Sequence, residues 1–248
     1  MCRARRNVHD RRPVRALTDK IKAAVAKLTD KPVRFVLNTH WHGDHTGGNE
    51  NFANMGVAII AQDNVRKRMS TEQYIAHMDR KVPPSPAIAL PIETFTDSVT
   101  FYLNGEEIHA FHVAPAHTDD DVIVWFPRKN VVHMGDCLFT GGYPIIDVSS
   151  GAGIEGMIAA NDRLLAMTDA STKFIPGHGK LATRADVQAF RDMLVKVRDR
   201  VKPMVAAGKS LADVQAAKPT ADLDAQWGVT MMKPDKFLEM VYNGLAKK

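Results

Sequence analysis

Apolar residues at Leu17, Ile21, Val25 and Leu28 recur at helical spacing, with Lys20, Lys22 and Lys27 between them. A helix capped at Thr18-Asp19 and running to about residue 29 is therefore predicted, with one apolar face. Pro32 stops it, residues 33–37 read as a short buried strand, and 38–48 form a polar loop containing Gly47-Gly48. A short helix at 49–54 and an apolar strand at 57–61 continue the alternation expected of an α/β fold. Residues 62–80 read as one amphipathic helix, and Pro83-Pro84-Ser85-Pro86 as an extended surface linker. The texture then changes. Strands at 99–103, 106–113, 122–126 and 131–134 are separated by turns at Asn104-Gly105 and at residues 127–130, which predicts an antiparallel meander. A helix at 153–168 and a strand at 172–175 lead into the tight loop Pro176-Gly177-His178-Gly179. The remainder is helical: 184–207, a shorter helix after Ser210 and another after Pro234.

Composition adds little to this until charge is placed along the chain. With 248 residues, 45% hydrophobic and 25% charged, a single domain over 17–248 is expected, with a helical C-terminal extension from residue 184. The net charge is +5, and residues 1–15 account for all of it through Arg3, Arg5, Arg6, Arg11, Arg12 and Arg15 against Asp10. Residues 1–16 are thus expected to be a basic, disordered arm, while the body is neutral and no nucleic-acid partner is expected. Cys2 and Cys137 are expected to be free thiols. No apolar run is long enough for a membrane span, and no signal peptide follows the arginines.

The chemistry is concentrated in His40-Trp41-His42-Gly43-Asp44-His45. On extended backbone, His40, His42 and Asp44 leave on one side and can converge, while His45 points to a neighbouring position, so two adjacent metals are expected. By chance the pattern would arise in about one such chain in a thousand. His117, Asp136 and His178 also sit where predicted strands feed loops. Imidazoles and carboxylates without thiolate suit catalytic zinc with an open coordination position. Cys137, next to Asp136, is expected to point to the opposite face and stand behind the ligands, and Trp41 is expected to wall the metal loop. Asp119-Asp120-Asp121 reads either as a capped turn or as support for ligand histidines. His9, His77, His109, His112 and His133 are expected to be hydrogen-bonded structural residues, and Met231, Met232 and Phe237 to pack in a core or interface.

Taken together, these motifs resemble the metallo-β-lactamase superfamily over roughly residues 17–183. The resemblance implies a four-layer αββα sandwich of two mixed sheets, with a zinc pair at the edge where the loops meet. It places His40, His42 and His117 on the first zinc, Asp44, His45 and His178 on the second, and Asp136 between both. A di-iron branch would have glutamate where this chain has His42, so zinc hydrolysis is implied. The implied chemistry is attack by a hydroxide shared between two Zn²⁺ ions, with Asp44 also carrying a proton to the leaving group. Such a site carries about +1 and would favour a small, anionic substrate. The resemblance is nearest to the branch with a three-histidine first site. Asp136, however, replaces that branch's cysteine ligand, and Phe139 stands where the branch has a lysine that grips substrate. The short start predicts a first sheet incomplete at the N-terminus, or an altered reading of a longer chain that could be exported to the periplasm. An incomplete sheet edge would also invite a second copy of the chain. Three readings follow: β-lactam hydrolysis first, then hydrolysis of another ester, thioester, lactone or phosphoester, then a non-catalytic zinc-binding relic.

Overall fold

A computed structural model describes residues 12–230 and 232–246. Its elements are α1 (Arg12–Ala26), β1 (Phe35–Leu37), α2 (Gly43–Thr46), α3 (Asn49–Ala53), β2 (Ala58–Gln62), α4 (Asp63–Met69), β3 (Gln73–Ile75), β4 (Arg80–Val82), β5 (Glu93–Phe95) and β6 (Ser98–Leu103). They continue as β7 (Glu106–His112), β8 (Val122–Phe126), β9 (Val131–His133), α5 (Ile154–Met167), β10 (Lys173–Ile175), β11 (Ala182–Thr183), α6 (Arg184–Ala206), α7 (Leu211–Ala216), α8 (Asp224–Trp227) and α9 (Pro234–Ala246). Two sheets carry the fold, one ordered β1-β2-β5 and the other β11-β10-β9-β8-β7-β6.

Because successive side chains of a strand leave on opposite faces, each central strand serves two cores. Val122, Val124 and Phe126 of β8 join Ile108, Ala110, Val99 and Phe101 in facing Leu37 and Phe95 of the smaller sheet. Phe35 stacks on Phe101 across that interface, ring centroids 4.7 Å apart. The alternate residues Phe111 and Ile123, with Val132 and Phe174, turn the other way and bury Leu164, Leu194 and Phe237 from α5, α6 and α9. Phe52 of α3 covers Val36 and Ile59 on the far side of the smaller sheet. Helix, sheet, sheet, helix is the αββα sandwich the resemblance implied. The smaller sheet has three strands, all parallel, rather than the mixed pairing expected. In the larger sheet β9 and β10 are parallel and the other pairs antiparallel, so the meander is as predicted.

Three expectations need correction. Helix α1 begins at Arg12, so Arg12 to Ala16, expected in a disordered arm, are helical, and Thr18-Asp19, expected to cap the helix, lie within it; residues 1–11, with Cys2 and His9, lie outside the described residues. Most of the apolar face of α1 is open to solvent. Leu17, Ile21 and Leu28 are exposed while Thr18 is the residue turned inward, where it accepts a hydrogen bond from Asn51 of α3. Residues 62–80 do not make one helix. Helix α4 stops at Met69 and an antiparallel hairpin, β3-β4, follows. The turn lets Ile75 and Val82 fold back onto Val65, Met69 and Trp41 in one cluster, which a straight helix rising 1.5 Å per residue would carry apart. Asp79 takes the left-handed conformation that reverses the chain. The brief elements β5, β11 and α8 carry too few residues for a periodic signal. Among the described residues no helix is long and apolar enough to cross a membrane.

Candidate metal centre

The seven residues singled out in the sequence are brought to one edge of the sandwich. His40 follows β1, His117 lies in the loop before β8, Asp136 follows β9 and His178 follows β10. The parallel pairing of β9 with β10 sets Asp136 and His178 side by side, and Gly177 N–H donates to Gly135 O at 2.7 Å. Val122 N–H donates to Thr39 O at 2.8 Å, tying the loops of the two sheets together. The motif is not extended throughout: Asp44 and His45 lie on α2, whose first turn is closed by His45 and Thr46 N–H on His42 O. That turn, rather than strand alternation, sets where Asp44 and His45 point, and it brings the His45 ring to 4.1 Å from that of His40.

Potential ligand atoms form three trios, His40-His42-His117, His40-His45-Asp136 and Asp44-His45-His178, each with its atoms within 4.8 Å of one another. Asp136 is central. Its carboxylate lies 3.3 Å from His45 Nε2, 3.4 Å from His117 Nε2, 3.4 Å from His178 Nε2 and 4.0 Å from His40 Nε2. Asp44 Oδ2 lies 3.3 Å from His45 Nε2 and 3.2 Å from His178 Nε2. Burial raises the proton affinity of Asp136, but the surrounding histidines, His117 foremost, outweigh it and hold the carboxyl below its usual range. Burial, then crowding by His117, His45 and His42, pushes His40 well below the ordinary histidine value. His178 is raised, chiefly by its hydrogen bond to Asp136.

Hydrogen-bond bookkeeping around His42 and His117 tests whether this cluster suits a metal. His117 Nδ1 donates to Ile145 O at 2.8 Å, so its Nε2 carries a lone pair. His42 Nε2 donates to Asp147 Oδ2 at 3.0 Å, so its Nδ1 does too. With both rings neutral, these two nitrogens face each other at 2.9 Å with no hydrogen to share. His40 Nε2, His45 Nε2 and Asp136 Oδ1 are shielded from water and have no hydrogen-bond partner. Buried lone pairs converging without donors are costly unless a cation takes them up. The residues present fit a metal.

The remaining candidates divide. Phe139 stacks on His178, with ring centroids 5.5 Å apart and an interplanar angle of 18°, and it lines a cavity of about 790 Å³ beside the cluster. Trp41 and Cys137 are buried and do not line it. Cys137 lies in a 3₁₀ turn, not on a strand; burial and then Asp121 push its thiol well up. The acidic run serves both roles left open for it. Asp121 accepts from His117 N–H at 2.7 Å and Thr118 N–H at 2.8 Å, closing the turn that presents His117, while Asp119 pairs with Arg68. His109, His112 and His133 are hydrogen-bonded as expected. His77 is not: both ring nitrogens are shielded and unpartnered at the hairpin tip, in the cavity wall. Met232 and Phe237 pack on the main core and Met231 lies outside the described residues.

Sequence reasoning missed Asp147 and the hairpin wall, and left Tyr143 and Asn161 unassigned. Tyr143 lines the cavity, stacks on Phe237 and donates to Asp224 at 2.9 Å. Asn161 donates to Cys137 O at 3.0 Å and so braces the turn carrying Asp136. That turn also depends on glycine. Gly135 has φ +50° and lies against Thr39, and a Cβ on Gly177 would fall 1.8 Å from Asp136 Oδ1. Gly177→Ala should therefore push Asp136 aside and cost about 1–3 kcal/mol. Thermal melting together with bound-metal analysis checks this; a variant matching the parent in both would refute the tight contact.

Residues 11–199 match the family described as the Metallo-beta-lactamase superfamily. A metallo-beta-lactamase type 2 of Bacteroides fragilis is 26% identical over 152 residues, covering 61% of this chain and 55% of that protein. A beta-lactamase-like protein 2 homolog of Caenorhabditis elegans is 20% identical over 219 residues, covering 87% of this chain and 66% of that protein. The chain thus spans little more than half the length of the first of these. Among solved structures, a metallo-beta-lactamase from Pontibacter korlensis superposes with a TM-score of 0.56 at 21% identity, covering 73% of this chain and 76% of that one. The αββα fold brings a histidine and aspartate cluster able to hold metal to its loop edge. The chain belongs to the metallo-beta-lactamase superfamily.

Proposed function

We propose that the chain is a two-zinc hydrolase, with the cyclic amide of a β-lactam as its leading substrate. The facing lone pairs of His42 and His117, beside an open cavity, carry this reading. His40, His42 and His117 would hold one zinc, Asp44, His45 and His178 the other, with Asp136 between them. When bound, the ions would lower the pKa of water towards neutrality and polarise the scissile carbonyl. The protein's own groups do the rest. Asp44, half exposed at the cavity, is placed to take a proton and pass it to the leaving group, and the His45 imidazole 3.3 Å away holds its carboxyl well below the usual range. Phe139 and Tyr143 on one side and Ile75, Met78 and Val82 on the other bind apolar substituents and exclude water. Arg80 and Lys81 line the hairpin side. They supply positive charge for an anionic substrate where Phe139 removes the lysine expected from the resemblance.

A second reading, hydrolysis of another ester, thioester, lactone or phosphoester, is favoured by one observation: an aspartate, Asp136, occupies the centre of the cluster in place of a thiolate. The metal-dependent reading predicts about two zinc ions per chain after loading, and activity lost to chelation and restored by zinc. Less than one zinc bound would sink it. A panel of a chromogenic cephalosporin, a lactone, a thioester and a phosphodiester separates the substrate classes. Turnover of the cephalosporin at least tenfold above the rest is expected.

A further inference from the structure

We infer that Asp147 is a positioning residue that fixes the ring of His42 and, through Ser149, pins the cavity hairpin to the same carboxylate. The inference rests on His42 being a metal ligand as proposed above. Asp147 is buried, 105 residues from His42 in sequence, and accepts on both oxygens. Oδ2 takes His42 Nε2–H at 3.0 Å and the Ser150 hydroxyl at 2.5 Å. Ser150 Oγ in turn accepts Trp41 Nε1–H at 3.1 Å, so the tryptophan beside His42 is held by the same group. Oδ1 takes the Ser149 hydroxyl, and Ser149 Oγ accepts the backbone N–H of Ala76 at the hairpin tip at 3.0 Å.

Every donor in this chain of contacts is used once, which leaves a single arrangement of hydrogens. His42 must carry its proton on Nε2, so Nδ1 is the lone pair presented to the metal. Both carboxylate oxygens of Asp147 meet donors, Oδ2 from His42 and Ser150 and Oδ1 from Ser149. A carboxylate holding the outer nitrogen of a ligand imidazole fixes its tautomer and orientation. Here it also meets the backbone of the hairpin whose side chains Ile75, His77 and Met78 wall the cavity. Holding the ligand and placing the substrate wall are thus one hydrogen-bonded unit.

The test uses the full chain and three readouts. In the metal-free parent, nitrogen NMR of the histidine rings should show His42 protonated at Nε2. Asp147→Ala should lose that preference and weaken one of the two zinc sites about 10- to 100-fold in chelator competition, leaving the other near the parent value. Ser149→Ala should keep both zinc affinities within about twofold yet speed amide exchange at residues 75–79, reporting the hairpin tether alone. A purely structural role would lower the melting temperature of Asp147→Ala while leaving the tautomer and both zinc sites unchanged, and that result overturns the inference. So does unchanged hairpin exchange in Ser149→Ala. A parent chain that binds no zinc instead defeats the two-zinc reading, and Asp147's role towards a metal with it.

Discussion

Asp44→Asn is expected to lower kcat by about 10²- to 10⁴-fold, the range associated with losing a positioned proton-transfer group. Asparagine keeps the size and hydrogen-bonding shape of the side chain but removes the charge and the proton-accepting oxygen. Asp44 sits in the first turn of α2, where its carboxylate reaches His45 and His178 at 3.3 Å and 3.2 Å and is more than half exposed to the cavity. Its contribution to the buried core is small, so the melting temperature should change little. One element of cost is shared with metal binding, because Asp44 is also placed as a ligand. Measuring zinc content alongside kcat separates the two: a variant that retains two zinc ions and loses turnover identifies the proton-transfer role. Undiminished turnover would contradict both assignments.

Asp136→Asn is expected to act on the metals first and on the reaction only through them. Four imidazoles surround this one carboxylate within 4.0 Å, and it is almost fully buried. Removing one member of a buried charged cluster costs about 3–5 kcal/mol, which corresponds to roughly two to four orders of magnitude in zinc affinity. The amide has little room to move away, because the backbone of Gly177 lies tight against the Oδ1 position. Zinc titration of the variant against the parent checks the loss. Affinity within tenfold of the parent would show that the carboxylate is not a ligand. If both zinc ions remain at saturating metal while turnover recovers, the effect is one of affinity alone.

These two expectations differ in how far each was legible beforehand. Asp44 belongs to a six-residue motif whose spacing already announces a metal, and His40, His42 and His45 share that advantage. Asp136 and His178 are separated by forty-odd residues and could be joined to the motif only through resemblance. What brings them together is the parallel register of β9 and β10, with Phe174 opposite Val132 and Ile175 opposite His133. The hairpin at 73–82 was lost inside an apparent helix, since Val65 and Met69 at helical spacing look the same whether the chain runs on or turns back. The apolar face of α1 is legible as a pattern, but spacing alone does not say what covers it, and Leu17, Ile21 and Leu28 are exposed.

By itself the sequence determined the strand periodicity of the meander, the polar loop after the first strand and the residue types able to hold metal. These are local properties, set by backbone geometry and by spacing of a few residues. Tertiary structure alone decided that Asp147 meets His42, that His77 stands unpaired in the cavity wall, and that Arg80 and Lys81 line it while Leu17 and Ile21 stay in water. The physical reason is that burial and hydrogen-bond partnership depend on which distant segments the sheet register brings alongside. No spacing within one segment encodes that.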